Sequence, residues 1–571
     1  MTSDAALAPP ETAALDRALD ELTAAEDQWR RLSLAAKRDL LRECGRRVGD
    51  HATEWVAAAC LGRGVSPEAL IAGEEWVSGP WVTLAYTNAL AETVGALARG
   101  DDPLRGVRLR ANGRVGQTVV DVLPHDAFDR VLMSGFRVEV WMEPGATVDR
   151  VLETAGAGLT RGGGGGVALV LGAGNISSIA PLDVLYKLYA GNQVVILKPS
   201  PVVAAMTPVL GRVLAPFIER GFVRIAAGGA EVGRYLTEHP KVGSVHMTGS
   251  RDTHDAIVFG PGEEGARRKA QAQPRLTKPV TSELGGVSPT IVLPGRWKDA
   301  DLRFQAEHVA SQKLVNDGFT CVASQVLVLP RAWPQADRFL EHLDQVFATA
   351  NSCPAYYPGA DRRQEHVLAG HRSARRYQGL RALVPDLSPD DPLLTTEVFG
   401  PVLGVVRLPG TDASTFLGEA VSFANDAVPG TLAANLIGDP ASLKALGPGL
   451  DHVISRLRFG CVGVNAWTAV AYLTPRAPWG GFPGARLDDV QSGLGIVHNA
   501  LLLDAPQRSV VYGPFRPAPR SLLGGEPSLS PKPPWFITNR TTRKTGQLLT
   551  RFAADPGWRH VPQIVASAMR G

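Results

Sequence analysis

Two residues in the middle of the chain have side chains suited to covalent catalysis. Cys321 lies in NDGFTCVASQVLVLP, residues 316–330, directly before a run of apolar residues that predicts a strand. Glu283 stands 38 residues earlier in SELGG, where two following glycines allow close approach of the backbone. A thiolate is a nucleophile, and a carboxylate can activate water if it reaches the same carbon atom. A free cysteine is more often a small buried hydrophobe, so this stretch alone leaves both interpretations open.

Three other motifs contain residues typical of nucleotide binding. Lys198 ends the apolar run QVVILK, where it either binds a ribose or phosphate or is simply a solvated charge. LGAGNISS contains Gly172 and Gly174 but lacks the third glycine of a dinucleotide fingerprint. HMTGS places Ser250 between a predicted strand and a predicted helix. Free N–H groups at such a helix start suit a pyrophosphate, although a serine there is also a common helix cap.

Short apolar runs that alternate with amphipathic segments predict the sheet that positions these motifs. The predicted strands are 167–172, 193–200, 223–229 and 244–250, and the predicted helices are 181–192, 203–221, 231–240 and 251–260. This alternation predicts a doubly wound parallel sheet, which binds ligands at the carboxyl ends of its strands. A second α/β stretch follows, with predicted strands at 324–330, 401–408 and 461–465. Residues 13–97 are predicted to be helical and residues 107–141 to be β-structure.

The composition is that of an ordinary globular protein, with 20% charged and 44% hydrophobic residues. A net charge of +3 does not indicate a nucleic acid partner, and no apolar run is long enough for a membrane span. We expect no metal site, because the cysteines are scattered and HExxH is absent; they are Cys44, Cys60, Cys321, Cys353 and Cys461. Their odd number and an acidic N-terminal sequence without signal-peptide features favour a cytoplasmic protein.

The composition changes after Tyr512. Residues 516–571 contain nine lysines and arginines but only two acidic residues, Glu526 and Asp555, among many prolines and glycines. We expect residues 514–571 to form a basic extension that packs over an acidic face of its own subunit or of a partner. A phosphate-bearing ligand is the alternative.

The ordered motifs GAGN, LKPS, MTGS, ELGG, GFTC, EVFGPV and PWGG resemble the aldehyde dehydrogenase superfamily over roughly residues 25–513. GAGN and the basic tail are also similar to a bacterial branch labelled as phenylacetate-degradation-type. The resemblance implies an α/β fold with a cofactor domain over 1–288 and a catalytic domain over 289–480. Residues 481–513 return to the cofactor domain and to a β oligomerisation arm, which also includes 105–145. It further implies NAD or NADP, a small-molecule aldehyde substrate and a homodimer or homotetramer.

The same resemblance assigns roles to individual residues. Cys321 is the nucleophile that gives a thiohemiacetal and then a thioester, and Glu283 is the base that directs water at that thioester. Asn175 and the backbone N–H of Cys321 stabilise the oxyanion. The residues expected to bind the cofactor are Lys198, Ser200, Gly229, Gly233, Thr248, Gly249, Ser250, Leu284, Glu397 and Phe399. Among them, Lys198 matches a contact to the adenosine ribose, Glu397 a contact to the nicotinamide ribose, and Phe399 an aromatic beside the nicotinamide.

Some positions depart from the family pattern. Pro201 stands where many members have an acidic residue that holds the ribose 2′-hydroxyl of NAD, so the choice between NAD and NADP stays open. Phe319 replaces a common glutamine close to the nucleophile. The substrate pocket is expected to include Ala180, Asp183, Trp467 and Tyr472, although aromatic residues are more often packing residues.

Two other functions remain possible from the sequence. In an acylating enzyme or acyl-thioester reductase, coenzyme A rather than water takes the acyl group, and members of that kind commonly lack the ELGG glutamate. Glu283 therefore favours hydrolysis, while the basic tail could meet coenzyme A phosphates. A non-catalytic relative is disfavoured because Cys321, Asn175, Glu283 and Glu397 are all present. The helix before Cys321 ends near it and does not lower a thiol pKa, so we expect the nicotinamide or Glu283 to activate the thiol.

Overall fold

The computed structural model describes residues 9–113, 115–161, 164–351, 354–410 and 412–571. Cys353 lies outside these residues, and the other cysteines are free thiols. The chain begins with helices α1 (Pro9–Arg31), α2 (Leu34–Asp50), α3 (Ala52–Gly62), α4 (Gly73–Trp76) and α5 (Val82–Ala98). Next come β1 (Arg108–Asn112), β2 (Gln117–Leu123), α6 (Ala127–Leu132), β3 (Arg137–Met142), α7 (Val148–Thr154) and α8 (Ala157–Thr160).

A doubly wound sheet follows, as the alternation predicts. Its elements are β4 (Val167–Leu171), α9 (Ile179–Tyr189), β5 (Val194–Lys198), α10 (Thr207–Val213), α11 (Ala215–Ile218), β6 (Val223–Ile225), α12 (Ala230–Glu238), β7 (Val242–Gly249), α13 (Arg251–Val258), α14 (Gly262–Ala270) and β8 (Val280–Leu284). The strand order is β17-β8-β7-β4-β5-β6, and every pair except β17–β8 is parallel. Helices cover such a sheet, so β5 is buried along its whole length.

The rest of the chain builds a second α/β unit and a C-terminal extension. Its elements are β9 (Ser288–Val292), α15 (Asp299–Leu314), β10 (Ser324–Pro330), α16 (Ala336–Thr349), α17 (Ala360–Leu368), β11 (Arg375–Arg376), β12 (Ala382–Val384), α18 (Pro392–Thr395), β13 (Val402–Leu408), α19 (Ala413–Asp426), β14 (Ala433–Ile437), α20 (Pro440–Leu446), α21 (Gly449–Arg456), β15 (Cys461–Val464), α22 (Ala469–Tyr472), β16 (Pro478–Trp479), β17 (Gly493–Leu494), β18 (Val497–His498), β19 (Pro506–Tyr512), α23 (Arg520–Leu523), α24 (Thr542–Ala554) and α25 (Val561–Ala568). Strands β9 to β15, apart from the edge strand β11, run parallel, and β10 is buried throughout. The α/β fold class is therefore confirmed.

The strands of the expected β arm join the second sheet within the same chain. β19 pairs in parallel with β15 and antiparallel with β3, so its backbone groups are used on both sides. The described residues form a continuous eleven-stranded sheet, ordered β1-β2-β3-β19-β15-β14-β9-β10-β13-β12-β11. An oligomerisation role for residues 105–145 and 481–513, and a homodimer or homotetramer, stay predictions.

The predicted helix 203–221 is also broken in the structure. A 3-10 segment over Pro201–Met206 is followed by the short helices α10 and α11. Pro208 and Pro216 lie in the first turns of α10 and α11, because proline lacks the N–H that would continue a helix from the preceding turn.

The basic extension packs on acidic residues of its own chain. Arg516 pairs with the buried Asp301 at 2.9 Å, and Lys532 pairs with Glu307 at 3.1 Å. Arg543 pairs with Glu68 near the N-terminal helices. Among the residues described, no helix is long and apolar enough to cross a membrane.

Candidate active site

A cavity of about 1200 Å³ lies at the carboxyl ends of β4, β5, β7 and β8 and extends to Cys321. Its wall includes the last residue of each of these strands, Leu171, Lys198, Gly249 and Leu284. Parallel strands place their carboxyl ends along one edge of the sheet, which is where such sheets bind ligands. All catalytic, cofactor and pocket residues that the sequence suggested line this cavity except Ala180.

A tight turn between α15 and β10 holds Cys321 at the cavity. Asn316 and Asp317 have left-handed backbone conformations, with φ of 53° and 50°, and Gly318 follows with φ of 75°. A Cβ on Gly318 would collide with the carbonyl of Gly400, so only glycine fits there. Left-handed conformations in residues other than glycine are unfavourable and concentrate at functional sites. The turn therefore fixes the thiol in position rather than simply connecting two elements.

Asn175 is tied to the loop that carries the thiol. Its side-chain Nδ2 donates to the carbonyl of Phe319 at 3.0 Å. Asn316 Nδ2 donates to the carbonyls of Asn175 at 2.9 Å and of Phe319 at 3.1 Å. One of the two N–H groups of the Asn175 amide is thus used to position the loop. The other leaves the amide able to donate to an oxyanion at Cys321.

Burial controls the reactivity of Cys321 in this structure. Burial raises the pKa of the Cys321 thiol to about 12, and the carboxylates of Glu397 and Glu283 act in the same direction. The thiol is therefore almost entirely protonated near neutral pH, in agreement with the expectation that its own helix does not activate it. A group that activates the thiol is therefore needed, and the nicotinamide or Glu283 remains the expected one.

The first testable prediction concerns this thiol. Without nucleotide, the rate of Cys321 alkylation by iodoacetamide should rise about tenfold per pH unit from pH 7 to pH 10, because the thiolate fraction rises by that factor below the pKa. The rate is measured by mass spectrometry of the peptide that contains Cys321. A plateau near pH 8 would show that the free enzyme already holds a thiolate.

Glu283 is a buried carboxyl group without a hydrogen-bond partner. It is 5% exposed and lines the cavity, and neither of its oxygens has a hydrogen-bond partner among the described residues. Burial, and then the nearby Asp183, raise the pKa of Glu283 well above its ordinary value, while Lys187 lowers it. A buried carboxyl group without a hydrogen-bond partner lowers the stability of the fold. Such groups are concentrated at functional sites, which favours a catalytic role for Glu283.

Glu397 approaches the ELGG loop closely. A Cβ on Gly285 would collide with Glu397 Oε1, so glycine at that position is what allows the contact. The backbone N–H of Gly286 donates to Glu397, but burial is the larger effect and raises the pKa of Glu397 to about 7. Phe399 has a left-handed φ of 47° and packs edge-on against Tyr357 at 4.9 Å. Its ring also lies 6.0 Å from that of Phe319, which explains the aromatic residue before the nucleophile.

The half of the cavity where the sequence predicts the nucleotide contains Lys198, at the end of β5. Burial lowers the pKa of Lys198, and Glu231 raises it. The Ser200 and Ser250 side chains are used as local caps, accepting from the N–H groups of Val202 and Thr253. Ser250 therefore caps the first turn of α13, and its hydroxyl oxygen is already used as a hydrogen-bond acceptor. Gly229, Gly233 and Gly249 line this half without side chains.

The other half, where the sequence predicts the aldehyde and which we call the aldehyde half, contains Asp183, Trp467 and Tyr472. Thr248 Oγ1 donates to Asp183 Oδ2 at 3.0 Å, so Thr248 connects the two halves. Trp467 Nε1 donates to the carbonyl of Val322 at 3.1 Å, directly after Cys321. The Tyr472 hydroxyl lies 2.7 Å from Ser178 Oγ.

The expectation for Ala180 is wrong. Its side chain faces Gly172, where an added Cβ would lie 2.9 Å from Ala180 Cβ, and it is buried outside the cavity wall. The helix α9 presents Ile179 and Asp183, four residues apart and therefore on one face, to the cavity instead.

Sequence motifs missed other wall residues. Glu74 and Glu75 lie in the N-terminal helical region and each pair with Arg63 at 2.9 Å. Glu74 Oε2 also accepts the backbone N–H of Asn316 at 3.1 Å, so this region braces the Cys321 turn. No motif marks these residues, because their partners are far away in the sequence. Three further wall residues that no motif marks are Glu231, Pro534 and Trp535.

Known proteins provide an independent comparison. The aldehyde dehydrogenase family model matches residues 166–358. A 1-pyrroline-5-carboxylate dehydrogenase of Bacillus pumilus is 28% identical over 43% of this chain and 51% of its own length. The dimeric NADP-preferring aldehyde dehydrogenase of Mus musculus is 26% identical over 58% of this chain and 68% of its own length. A crystal structure of NADP-dependent glyceraldehyde-3-phosphate dehydrogenase from Bacillus halodurans has a TM-score of 0.59 at 18% identity, covering 87% of this chain and 90% of that one.

The extent of these matches differs. The chain spans about half the length of the Bacillus pumilus relative, and the structural likeness shows the fold alone. The matched model includes Asn175, Glu283 and Cys321, the three residues whose side chains or backbone meet at one end of the cavity. Residues 166–358 therefore match the aldehyde dehydrogenase family, and the described chain has the fold of a solved aldehyde dehydrogenase.

Proposed function

We propose that this protein oxidises an aldehyde to a carboxylic acid with NAD or NADP, through a thioester on Cys321. The observation that carries the proposal is the unpaired Glu283 carboxyl group in the same cavity as Cys321 and Asn175. Named relatives support it, since they include an NADP-preferring aldehyde dehydrogenase. A carboxyl group able to activate water favours hydrolysis over transfer to coenzyme A.

The cavity has the features that a nicotinamide nucleotide needs. The start of α13 at Ser250 offers backbone N–H groups and the positive end of a helix for a pyrophosphate. Lys198 lies at the ribose end, and glycines at 229 and 233 leave room for close contact. Glu397 would hold the nicotinamide ribose, with Phe399 beside the ring. When bound, the nicotinamide supplies the acceptor for a hydride.

The first half of the reaction depends on the turn that holds Cys321. The Cys321 thiol gives its proton to a water molecule in the cavity, and the sulfur bonds to the aldehyde carbon. The Asn175 amide and the Cys321 N–H then donate to the oxygen that becomes negative. Such donors are typically worth about 3 kcal/mol each in the transition state. Loss of hydride from the same carbon leaves a thioester.

The second half depends on Glu283. Its carboxylate takes a proton from a water molecule, whose oxygen adds to the thioester carbon and displaces the Cys321 sulfur. Burial raises the pKa of Glu283 well above its ordinary value, so acid release should become faster as the pH rises through that raised pKa.

Nicotinamide absorbance over time tests the proposal. Purified protein is given aliphatic, aromatic and semialdehyde substrates, each with NAD and NADP and with and without coenzyme A. Steady reduction without coenzyme A is expected. A single-turnover burst that continues only after coenzyme A is added would contradict the role of Glu283. The absence of reduction under every condition, with nucleotide still bound, would contradict the oxidation itself.

The choice between NAD and NADP yields a further prediction. Glu231 lines the cavity near Lys198 and partly replaces the carboxylate missing at Pro201. Glu231→Gln keeps an acceptor for the Gly229 N–H, which lies 2.8 Å from Oε1, but removes the charge. We expect the NADP affinity to rise about tenfold relative to NAD, because a nearby carboxylate repels the extra phosphate. Fluorescence titration with each nucleotide measures this ratio, and Glu263→Gln, an exposed charge outside the cavity, is the control.

We also propose a cytoplasmic location, because the catalytic thiol requires reducing conditions and the described cysteines are free. A homodimer or homotetramer is proposed from the family alone.

A further inference from the structure

We infer that the C-terminal extension forms part of the wall around the aldehyde, and that Trp535 selects aldehydes with a large apolar, aromatic group. This inference rests on the proposed oxidation and names the substrate class for it. Its basis is that Pro534 and Trp535 line the same cavity as Cys321. Nothing in the motif pattern assigns this basic tail a role at the site.

Trp535 belongs to the aldehyde half of the cavity. It shares a small neighbouring cavity with Trp467, Ala466 and Phe136. Its ring packs edge-on against Phe136 with centroids 5.9 Å apart. Trp467 in turn donates to the carbonyl of Val322, the residue after Cys321. Trp535 therefore lines the same small cavity as Trp467, the residue whose indole N–H is bonded next to Cys321.

The residues on both sides of Trp535 are anchored to α15, the helix that leads to Cys321. Phe536 stacks on His308 with centroids 5.3 Å apart. The Ile537 N–H donates to Ser311 Oγ at 3.0 Å, and Lys532 pairs with Glu307 at 3.1 Å. The tryptophan thus occupies a fixed position, which is what a residue that selects a substrate needs.

The chemistry of this wall favours an aromatic ligand. Trp467 and Tyr472 use their polar atoms on Val322 and Ser178, so they offer the cavity mainly ring surface. Trp479 packs edge-on against Tyr472 at 5.3 Å and lines the same wall. Aromatic rings pair favourably through edge and offset-stacked contacts beyond simple burial of area. Glu74 and Glu75 both pair with Arg63, whose guanidinium offsets one of their two negative charges.

Trp535→Ala tests the inference through a ratio of substrates. The ratio of kcat/KM for benzaldehyde to that for acetaldehyde should fall about tenfold, since the small aldehyde does not reach the lost ring. Trp535→Phe, which keeps an aromatic face, should restore the ratio to within about threefold of wild type. The control is Trp558→Ala, because Trp558 is in the same extension but is 54% exposed and packs on Phe128 outside the cavity. A ratio that is unchanged or rises in Trp535→Ala, or that falls equally in Trp558→Ala, would overturn the inference.

A second readout does not depend on aldehyde oxidation. The rates at which N-phenylmaleimide and N-methylmaleimide modify Cys321 are measured by mass spectrometry in each variant. The ratio of phenyl to methyl reagent should fall in Trp535→Ala and stay near wild type in Trp535→Phe. If no aldehyde is oxidised but this ratio falls, the proposed function fails while the aromatic wall stands. If aldehydes are oxidised but neither ratio falls, the inference fails and the proposed function stands.

Discussion

Cys321→Ser is expected to lower the rate of aldehyde oxidation by a factor on the order of 10⁴ or more, as for other enzymes that lose their nucleophile. A serine hydroxyl group is far less acidic than a thiol, and no described residue is hydrogen-bonded to the Cys321 sulfur as an activating base. Nucleotide affinity should stay within about twofold of wild type, because Lys198, Ser250 and Glu397 are unchanged. Steady-state absorbance measures the first quantity and fluorescence titration measures the second.

The matched control is Cys461→Ala. Cys461 is a buried thiol in β15 and is outside the cavity wall, so its loss should leave turnover nearly unchanged. Retained turnover in Cys321→Ser would contradict the covalent mechanism. A loss of turnover accompanied by loss of nucleotide binding would instead point to a collapsed site.

Glu283→Gln is expected to retain a rapid burst of nicotinamide reduction and to slow the following turnover by 10²- to 10³-fold. The burst needs only Cys321 and the oxyanion donors, whereas acid release needs a base; general-base catalysis typically contributes about 10²- to 10⁴-fold. Stopped-flow absorbance separates the two phases. In the wild type, acid release should speed up as the pH rises, because the raised pKa of Glu283 keeps it protonated at lower pH. The glutamine variant should lose that dependence.

Two comparisons make this variant decisive. Coenzyme A added after the burst should not restore turnover if water is the natural acceptor. Loss of the burst itself would show that Glu283 acts earlier, as the base for the Cys321 thiol. Asp183 lies close enough to Glu283 to raise the pKa of its carboxyl group.

The sequence predicted that Cys321, Glu283 and Lys198 lie at one site because their motifs lie at strand ends, and in the structure all three line one cavity. Their catalytic and binding roles stay predictions. Cys321, Glu283 and Lys198 each adjoin an apolar run that becomes a buried strand, and parallel pairing brings the ends of such strands together. The ordered family motifs then placed Asn175 beside Cys321, where the amide is tied to the carbonyl of Phe319. Residues whose position is set by the backbone of a strand end could be predicted from the sequence in this way.

Features that depend on contacts between residues far apart in the sequence could not be predicted from it. The apolar pattern of β19 is the same whether it pairs with β15 of its own chain or with a partner, so the pattern could not reveal the observed arrangement. The Arg63–Glu75 pair and Trp535 reach the cavity from the two ends of the chain, without a motif. Ala180 was misplaced because the exact rotation of α9 decides which side chains face the ligand.

Mass spectrometry of a trapped intermediate tests the covalent mechanism most directly. The Glu283→Gln variant is mixed with benzaldehyde and the preferred nucleotide, quenched in acid within the burst and digested. We predict an added benzoyl group on the peptide that contains Cys321, at close to one per active site, and none in Cys321→Ser. A full burst of nicotinamide reduction without that adduct, or with the adduct on another residue, would contradict a thioester on Cys321.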